Sequence, residues 1–490
     1  MTSTPRKTHI AILASPGMGH IIPSLELAKS LVSHHDLKVT LFVPTTSSSS
    51  SESSTPQTQL LTSLSSLPPQ DLLNLINLPP VDISNVVPTE SHLAIRISAV
   101  VRESLPSVRS IIEKSQQQVP TVLITDMFGT DAFEIIGDAF QMSKYLFFTS
   151  NLSALAILAY MPKLDPMELM NEPLLRVPGC KPVRVEDLGD SFSYPNCGDH
   201  ARMVQHARRY VQTSGVLVNT FEDLEPETHR ALSDDEIARL IPLPRVYTVG
   251  PIIKSAVASP EGPIHCLSWL DMQPHDSVLF VSFGRGGTLS AEQVTELAWG
   301  LELSQQRFIW VLRKPNDITL VSSTYLGDAG GGQDDPSEFL PDGFLSRTRG
   351  VGLVVPNWAP QVEILSHASI GGFLSHCGWN STLESIVNGV PMIPWPLFAE
   401  QRLNASMLSD DIGVAVRSPI QSSKGVIVGR EEIERMVRLV MEGEEGKVMR
   451  RRAKELKNNG LGAVAKGGSS YNSLSQLADK WNGDSECGLI

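Results

Sequence analysis

The strongest constraint on this chain is an alternation that runs its whole length. Short, nearly continuous runs of Val, Ile, Leu and Phe are each followed by a longer stretch of helical periodicity. Such runs suit strands buried on both faces of a parallel sheet; a sheet with one wet face would alternate apolar and polar residues. They fall at 9–15, 38–44, 121–126, 144–148, 215–221 and 245–250, and then at 277–283, 307–312, 352–356, 371–376, 390–395 and 412–416. Parallel neighbours need crossovers, and segments such as IPSLELAKSLVSHH after the first run and AEQVTELAWGLELS after Phe283 supply them. The expected fold class is α/β, with two doubly wound halves and ligands at the carboxyl ends of the strands.

The join between the halves is also visible. Gly250 and Pro251 open GPIIKSAVASPEGPIH, which has no long periodic run and reads as a linker. The expected division is a first domain over 1–249, a linker over 250–265 and a second domain over 266–472, with a terminal helix and tail over 473–490. Residues 45–55, TTSSSSSESST, read as a polar low-complexity loop, and 327–336, GDAGGGQDDP, as a Gly/Asp-rich surface insertion.

Composition removes several function classes. A net charge of −13 argues against nucleic acid or an anionic membrane as partner, because phosphate surfaces attract concentrated Lys and Arg. The five cysteines, Cys180, Cys197, Cys266, Cys377 and Cys487, are scattered without a C-x-x-C pair, so neither a disulfide framework nor a zinc site is expected. The apolar run Ile10–Leu13 is too short for a signal peptide, and Leu152–Met161 falls short of the ~20 residues that span a bilayer. The expected address is the cytoplasm, the expected state a monomer, and no metal cluster is legible.

Chemistry concentrates at two turns. After the first run come Ser15-Pro16-Gly17-Met18-Gly19-His20, where glycines let backbone approach a ligand and the next helix aims its N–H groups into the crevice. The dinucleotide pattern G-x-G-x-x-G fails here, because its last place is Ile22. His20 is either a candidate general base or a helix-start histidine bonded to backbone. Asp126, closing VLITD, is either its orienting acid or the Asx-turn or N-cap residue of the following helix, a job for which Asp131 competes. In the second half, from Trp358 to Gln401, the chain reads WAPQVEILSHASIGGFLSHCGWNSTLESIVNGVPMIPWPLFAEQ. GGFLSH is a strand, CGW a turn, and NSTLE a helix start with Ser381 and Glu384 at capping-box spacing. With His376, Asn380 and Ser381 alongside, that start is a ready anion site; the plainer alternative is a well-capped structural helix with Trp358 and Trp379 as core aromatics.

These residues resemble the signature box of the plant family-1 UDP-glycosyltransferases, with its HCGWNS centre and terminal acidic-Gln pair. The likeness extends to GMGH, GVLVNTFEDLE, the SFG turn and GGSS near residue 470, and so covers nearly the whole chain. PSLELAKSL and NLPPVDIS resemble the branch that glucosylates small phenols, such as hydroquinone, monolignol or indoxyl glucosyltransferases. The resemblance implies a GT-B fold: two facing Rossmann-like domains, with the last helix crossing back onto the first. It implies that Trp358 stacks on uracil, with Ala359 backbone and Gln361 beside it, and that Glu384 takes the ribose hydroxyls. It implies that His376, the Gly378 amide, Asn380 and Ser381 hold the diphosphate, and that Trp379, Glu400 and Gln401 bond the sugar. UDP-glucose is then the donor co-substrate, with no further cofactor, and His20 oriented by Asp126 removes the acceptor proton in an inverting reaction. Gln401 resembles glucose users, where galactose users carry His.

Two positions depart from the family pattern. Glu400 stands where Asp is commoner. Arg285, in SFGRGGT, stands where Ser usually lies near the phosphates; either its guanidinium bonds the diphosphate or, as is expected here, it points to solvent with only the backbone amide facing the ligand. Two rival functions fit the residues less well. An NAD-dependent oxidoreductase fails because neither Gly17-x-Gly19 nor Gly284-x-Gly286 completes G-x-G-x-x-G. A non-catalytic UDP-sugar-binding protein should lack His20 or Asp126, and both are present.

Overall fold

The computed structural model describes residues 7–46, 72–88, 91–115, 118–169, 171–189, 192, 198–255, 264–317, 335–418 and 426–487. In the first domain, β1 (His9–Leu13), β2 (Lys38–Val43), β3 (Leu73–Asn77), β4 (Val122–Asp126) and β5 (Ser143–Phe148) precede a small ribbon, β6 (Leu174–Leu175) with β7 (Val183–Arg184), and then come β8 (Gly215–Val218) and β9 (Val246–Thr248). The main sheet has the order β3-β2-β1-β4-β5-β8-β9, and every pairing in it is parallel. In the second domain, β10 (Val278–Ser282), β11 (Arg307–Leu312), β12 (Gly352–Pro356), β13 (Ile370–Ser375) and β14 (Met392–Pro394) form a parallel sheet ordered β12-β11-β10-β13-β14.

The continuous apolar runs have the expected cause. In β1, Ile10 and Ile12 pack into one apolar layer with Ile21, Leu25 and Ala28 of the helix Met18–His35. Ala11 and Leu13 pack into the opposite layer, with Val101 and Leu105 of the helix Leu93–Lys114 and Leu155 of the helix Leu152–Tyr160. Both faces are covered, so no position in the strand needs to be polar. The second sheet is covered in the same way on its two sides.

The last two helices are neighbours in sequence but serve different domains. Glu444–Val464 places Ala453, Leu456 and Ala463 in the core of the second domain. Ser469–Cys487 crosses back and places Leu474, Leu477, Ala478 and Trp481 against the first sheet. Trp481 is fully buried, edge-on to Tyr145 with ring centroids 5.2 Å apart. This is the GT-B arrangement. The crossing helix starts at Ser469, ahead of the boundary at 473 read from the sequence. Residues 250–255 form neither helix nor strand. The remainder of the linker to 263, the Ser-rich loop beyond 46 and the Gly/Asp insertion up to 334 lie outside the described residues.

Two strand assignments need correction. IGVAV at 412–416 is not a strand: Gly413 adopts φ 75° after a π-helical turn, and only Ala415 forms a bridge, to Met392. Conversely, LNLIN at 73–77 forms the edge strand β3, half exposed and without a continuous apolar run to announce it. The NTFEDLE segment has a clear packing role. Glu225, buried, accepts from the backbone amides of Leu152 and Ser153, both at 3.0 Å, and from Thr220 Oγ1 at 2.9 Å, which ties it to the start of the helix Leu152–Tyr160.

Candidate active site

Each sheet reverses strand order at one point, and that is where a doubly wound fold opens a crevice. In the first sheet the reversal lies between β1 and β4. Gly17 leaves β1 with φ 100°, a left-handed value that side chains rarely adopt, and caps the helix Met18–His35. His20 therefore sits in the first turn of that helix, its backbone N–H bonded to Gly17 O at 3.0 Å. Its ring lies beside the end of β4, with Nδ1 2.9 Å from Asp126 Oδ2 and 3.2 Å from Thr149 Oγ1.

Asp126 is fully buried and held on several sides. Its Oδ1 accepts from Ser15 Oγ at 2.7 Å and from Phe128 N at 3.2 Å, and its Oδ2 accepts from Thr149 Oγ1 at 3.2 Å. The turn-forming role therefore exists alongside the pairing with His20, while Asp131 is engaged elsewhere, with Arg202 and Arg209. Burial alone would raise the Asp126 pKa, but the charge and hydrogen bond of His20 hold it below the usual carboxylate range. For His20, burial pulls downward and Asp126 and Glu400 pull upward; the net result lies above the ordinary histidine value. A carboxylate can only accept, so Nδ1 carries the proton and Nε2 of the neutral ring carries the lone pair.

A second histidine shows what a structural one looks like here. His206 lies on the other side of Phe128, with Nδ1 bonded to Thr130 Oγ1 at 2.7 Å and Nε2 to Ser98 Oγ at 2.9 Å. Burial and the nearby Arg202 push its pKa down to about 3. Both nitrogens of His206 are occupied, whereas Nε2 of His20 makes no hydrogen bond among the described residues.

In the second sheet the reversal lies between β10 and β13, and most of the signature residues gather there. Gly378 is the N-cap of the helix Trp379–Asn388, so the helix begins earlier than the capping-box spacing implied. Ser381 and Glu384 are then interior positions, and no side-chain cap forms. Gln361 Nε2 instead binds both, at 2.9 Å to Ser381 Oγ and 2.7 Å to Glu384 Oε2. Burial raises the Glu384 carboxyl to about 7. His376, at the end of β13, has a buried Nδ1 without a partner, and burial with Arg313 nearby lowers its pKa to about 4. It is neutral at neutral pH and offers a hydrogen bond rather than a charge. A side chain on Gly284 would meet the His376 ring at 2.6 Å, so the turn after β10 lies directly against it.

The two candidate core tryptophans behave differently. Trp358 is 38% exposed, and Ala359 beside it is buried. Trp379 is buried, and its indole N–H donates to Asn219 O at 2.7 Å, leaving its backbone amide for a ligand. Gln401 is buried and accepts from Leu397 N at 2.8 Å and Phe398 N at 3.1 Å, while Glu400 Oε1 accepts from Ser150 Oγ at 3.4 Å. Arg285 is half-buried, and burial lowers its pKa against the opposing pull of Glu384.

The crevices face each other and are tied together. Asn380 Nδ2 donates to Gly19 O at 3.0 Å, one residue from His20, and Asn151 Nδ2 donates to Asn404 Oδ1 at 2.6 Å. Ser15, Thr149, Asn151 and Asn219 were not identified from sequence, although each is a polar residue just beyond the carboxyl end of a strand. Such an arrangement can bring a proton acceptor on one domain to a ligand held by the other. Among the described residues no helix is long and apolar enough to cross a membrane.

Comparison with known proteins agrees with this geometry. Residues 242–446 match the family described as UDP-glucoronosyl and UDP-glucosyl transferase. UDP-glycosyltransferase 72E1 of Arabidopsis thaliana is 45% identical over 483 residues, covering 97% of this chain and 96% of the relative. The hydroquinone glucosyltransferase of Rauvolfia serpentina is 42% identical, covering 98% of each. The solved structure of Phytolacca americana UGT2 with UDP-2fluoro-glucose and pterostilbene superposes with a TM-score of 0.83 at 41% identity, covering 97% of this chain and 99% of that one. Two facing parallel-sheet domains, a crossing terminal helix and near-full-length similarity to these relatives make the chain a UDP-glycosyltransferase of the plant family-1 group, an enzyme that transfers the sugar of a UDP-sugar to small acceptors.

Proposed function

We propose that the enzyme transfers glucose from UDP-glucose to the hydroxyl of a small phenolic or indolic acceptor, with inversion at the anomeric carbon. The observation that carries this reading is the His20–Asp126 pair, 2.9 Å apart, at a crevice tied to the donor-side helix through Asn380. A phenol is a weak nucleophile at neutral pH and needs a base within reach. Nε2 of His20 takes the acceptor proton, and Asp126 fixes the tautomer and stabilises the imidazolium that forms. The acceptor oxygen bonds to the anomeric carbon as the bond from that carbon to the β-phosphate oxygen breaks, its electron pair leaving with UDP.

Trp358, Ala359, Gln361 and Glu384 hold the uridine in this reading. His376, Gly378, Asn380 and Ser381 hold the diphosphate at the helix start, where backbone N–H groups suit an anion. Trp379, Glu400 and Gln401 select the sugar. The enzyme works as a cytoplasmic monomer. Relatives named for hydroquinone glucosylation or described as capable of glucosylating indoxyl support this acceptor class, and one named as an anthocyanidin 3-O-glucosyltransferase, with another solved with 3,4-dichloroaniline, makes flavonoids and anilines the alternative. The test is UDP release from UDP-glucose across phenols, indoxyl, flavonoids and anilines. Release should depend on the acceptor and be fastest with small phenols or indoxyl; binding of UDP-glucose without acceptor-dependent release would mark a non-catalytic binder.

Donor choice gives a second expected result. Gln401→His should narrow or reverse the preference for UDP-glucose over UDP-galactose. Histidine cannot reproduce the bonds from Leu397 and Phe398, so both rates should fall. The measurement is therefore the ratio of the two kcat/KM values, from which a shared loop defect cancels. An unchanged ratio would detach sugar choice from this position.

A further inference from the structure

The leaving UDP gains negative charge as the bond to glucose breaks, and a helix N-terminus with a neutral His376 supplies only partial charges against it. The same crevice holds two guanidiniums. Arg285 follows Gly284, whose φ of 69° lays the turn after β10 against the His376 ring. Arg313, just beyond β11, donates to the Arg285 carbonyl and to Asn357 O at 3.4 Å. Among the described residues neither guanidinium reaches a carboxylate at ion-pair distance. The charge that favours ionised Arg285 is that of Glu384, and the neighbour that disfavours ionised Arg313 is Arg285.

Partly desolvated like charges without a counter-ion are unfavourable, and an arriving anion relieves that cost. The buried, unpartnered Nδ1 of His376 lies at the same place and also awaits a partner. We propose that Arg285 is a ligand of the donor's diphosphate, neutralising the leaving UDP, and that Arg313 positions it by bonding its backbone carbonyl. A guanidinium fork matches phosphate oxygens bidentately, so the contact strengthens as charge accumulates on the departing β-phosphate. The proposal rests on the UDP-sugar reading above and adds a cation to it.

The test is titration of the full-length enzyme with UDP and with uridine, comparing wild type, Arg285→Ser and Arg285→Lys. For Arg285→Ser, UDP affinity should fall tenfold or more at low salt, and less at moderate salt as screening rises. Arg285→Lys should lie between the two, and uridine affinity should stay within about twofold in all three. UDP binding to Arg285→Ser within twofold of wild type would overturn the proposal. An equal loss of uridine would overturn it too, since the residue would then shape the pocket rather than meet phosphate. Failure of wild type to bind UDP at all would instead refute the UDP-sugar reading, so the two failures are distinguishable.

Discussion

Replacing His20 by alanine is expected to lower turnover by about 10²–10⁴-fold while leaving UDP affinity nearly intact. The ring contributes a proton acceptor to the first crevice and makes no hydrogen bond to the donor-side elements. Near-normal rates with a phenol of ordinary acidity would end the proton-abstraction role. Asp126→Ala should lose less, because an unoriented imidazole still has a lone pair; a larger loss than for His20→Ala would contradict that order. The pH profile adds an independent reading. The base must be neutral, and its pKa lies above the ordinary histidine value because Asp126 and Glu400 outweigh burial. Activity should therefore climb as pH rises through that elevated value. In Asp126→Ala the upward pull weakens while burial remains, so the rising limb should move to lower pH as the plateau drops. A limb that stays in place would mean that Asp126 does not govern the titration.

The largest stability effect is expected far from the chemistry. Trp481→Ala removes a fully buried indole from the layer between the crossing helix and the first sheet, where it meets Tyr145 edge-on. Truncations of this kind cost about 3–5 kcal/mol, a large part of what holds a domain folded. Two domains need not unfold together, so the measurement is the first transition in a denaturant titration, followed by a probe on each domain. That transition should move to lower denaturant and report the first domain. A loss below about 1 kcal/mol would show that the helix is only loosely docked.

Much of this architecture is legible in the residues because burial on two faces leaves a plain trace. β1, β4 and β10 are buried along almost their whole length and appear as unbroken apolar runs. The trace fades at sheet edges. Among the described residues β3 pairs only with β2, and it keeps two asparagines in LNLIN, so its pattern is weak. IGVAV has the right composition for a strand, but Gly413 turns the backbone at φ 75° and leaves one bridge. The same distinction holds at the site. His20, Asp126 and His376 could be found because each ends a strand or opens the helix after one. The partners Asn380 with Gly19 and Trp379 with Asn219 depend on how two separately folded sheets face each other, which no local pattern encodes. The direction of the Arg285 side chain is not legible for a related reason: glycines on either side of it permit more than one direction.

The route of the final helix also bears on how the protein is made. The layer that includes Ile10, Val39, Leu41 and Val122 is completed by Leu474, Leu477, Ala478 and Trp481. A chain emerging from the ribosome exposes the first domain's strands early, yet the residues that close this face are translated only after the whole second domain. At ~5–20 residues per second, the interval after the first domain has emerged is roughly 10–50 s. During that time an apolar face on a nearly finished sheet stays open to other chains. Synthesis of this enzyme should therefore be most prone to aggregation while the second domain is being made, when nearly all of the first domain is present but its seal is not yet translated.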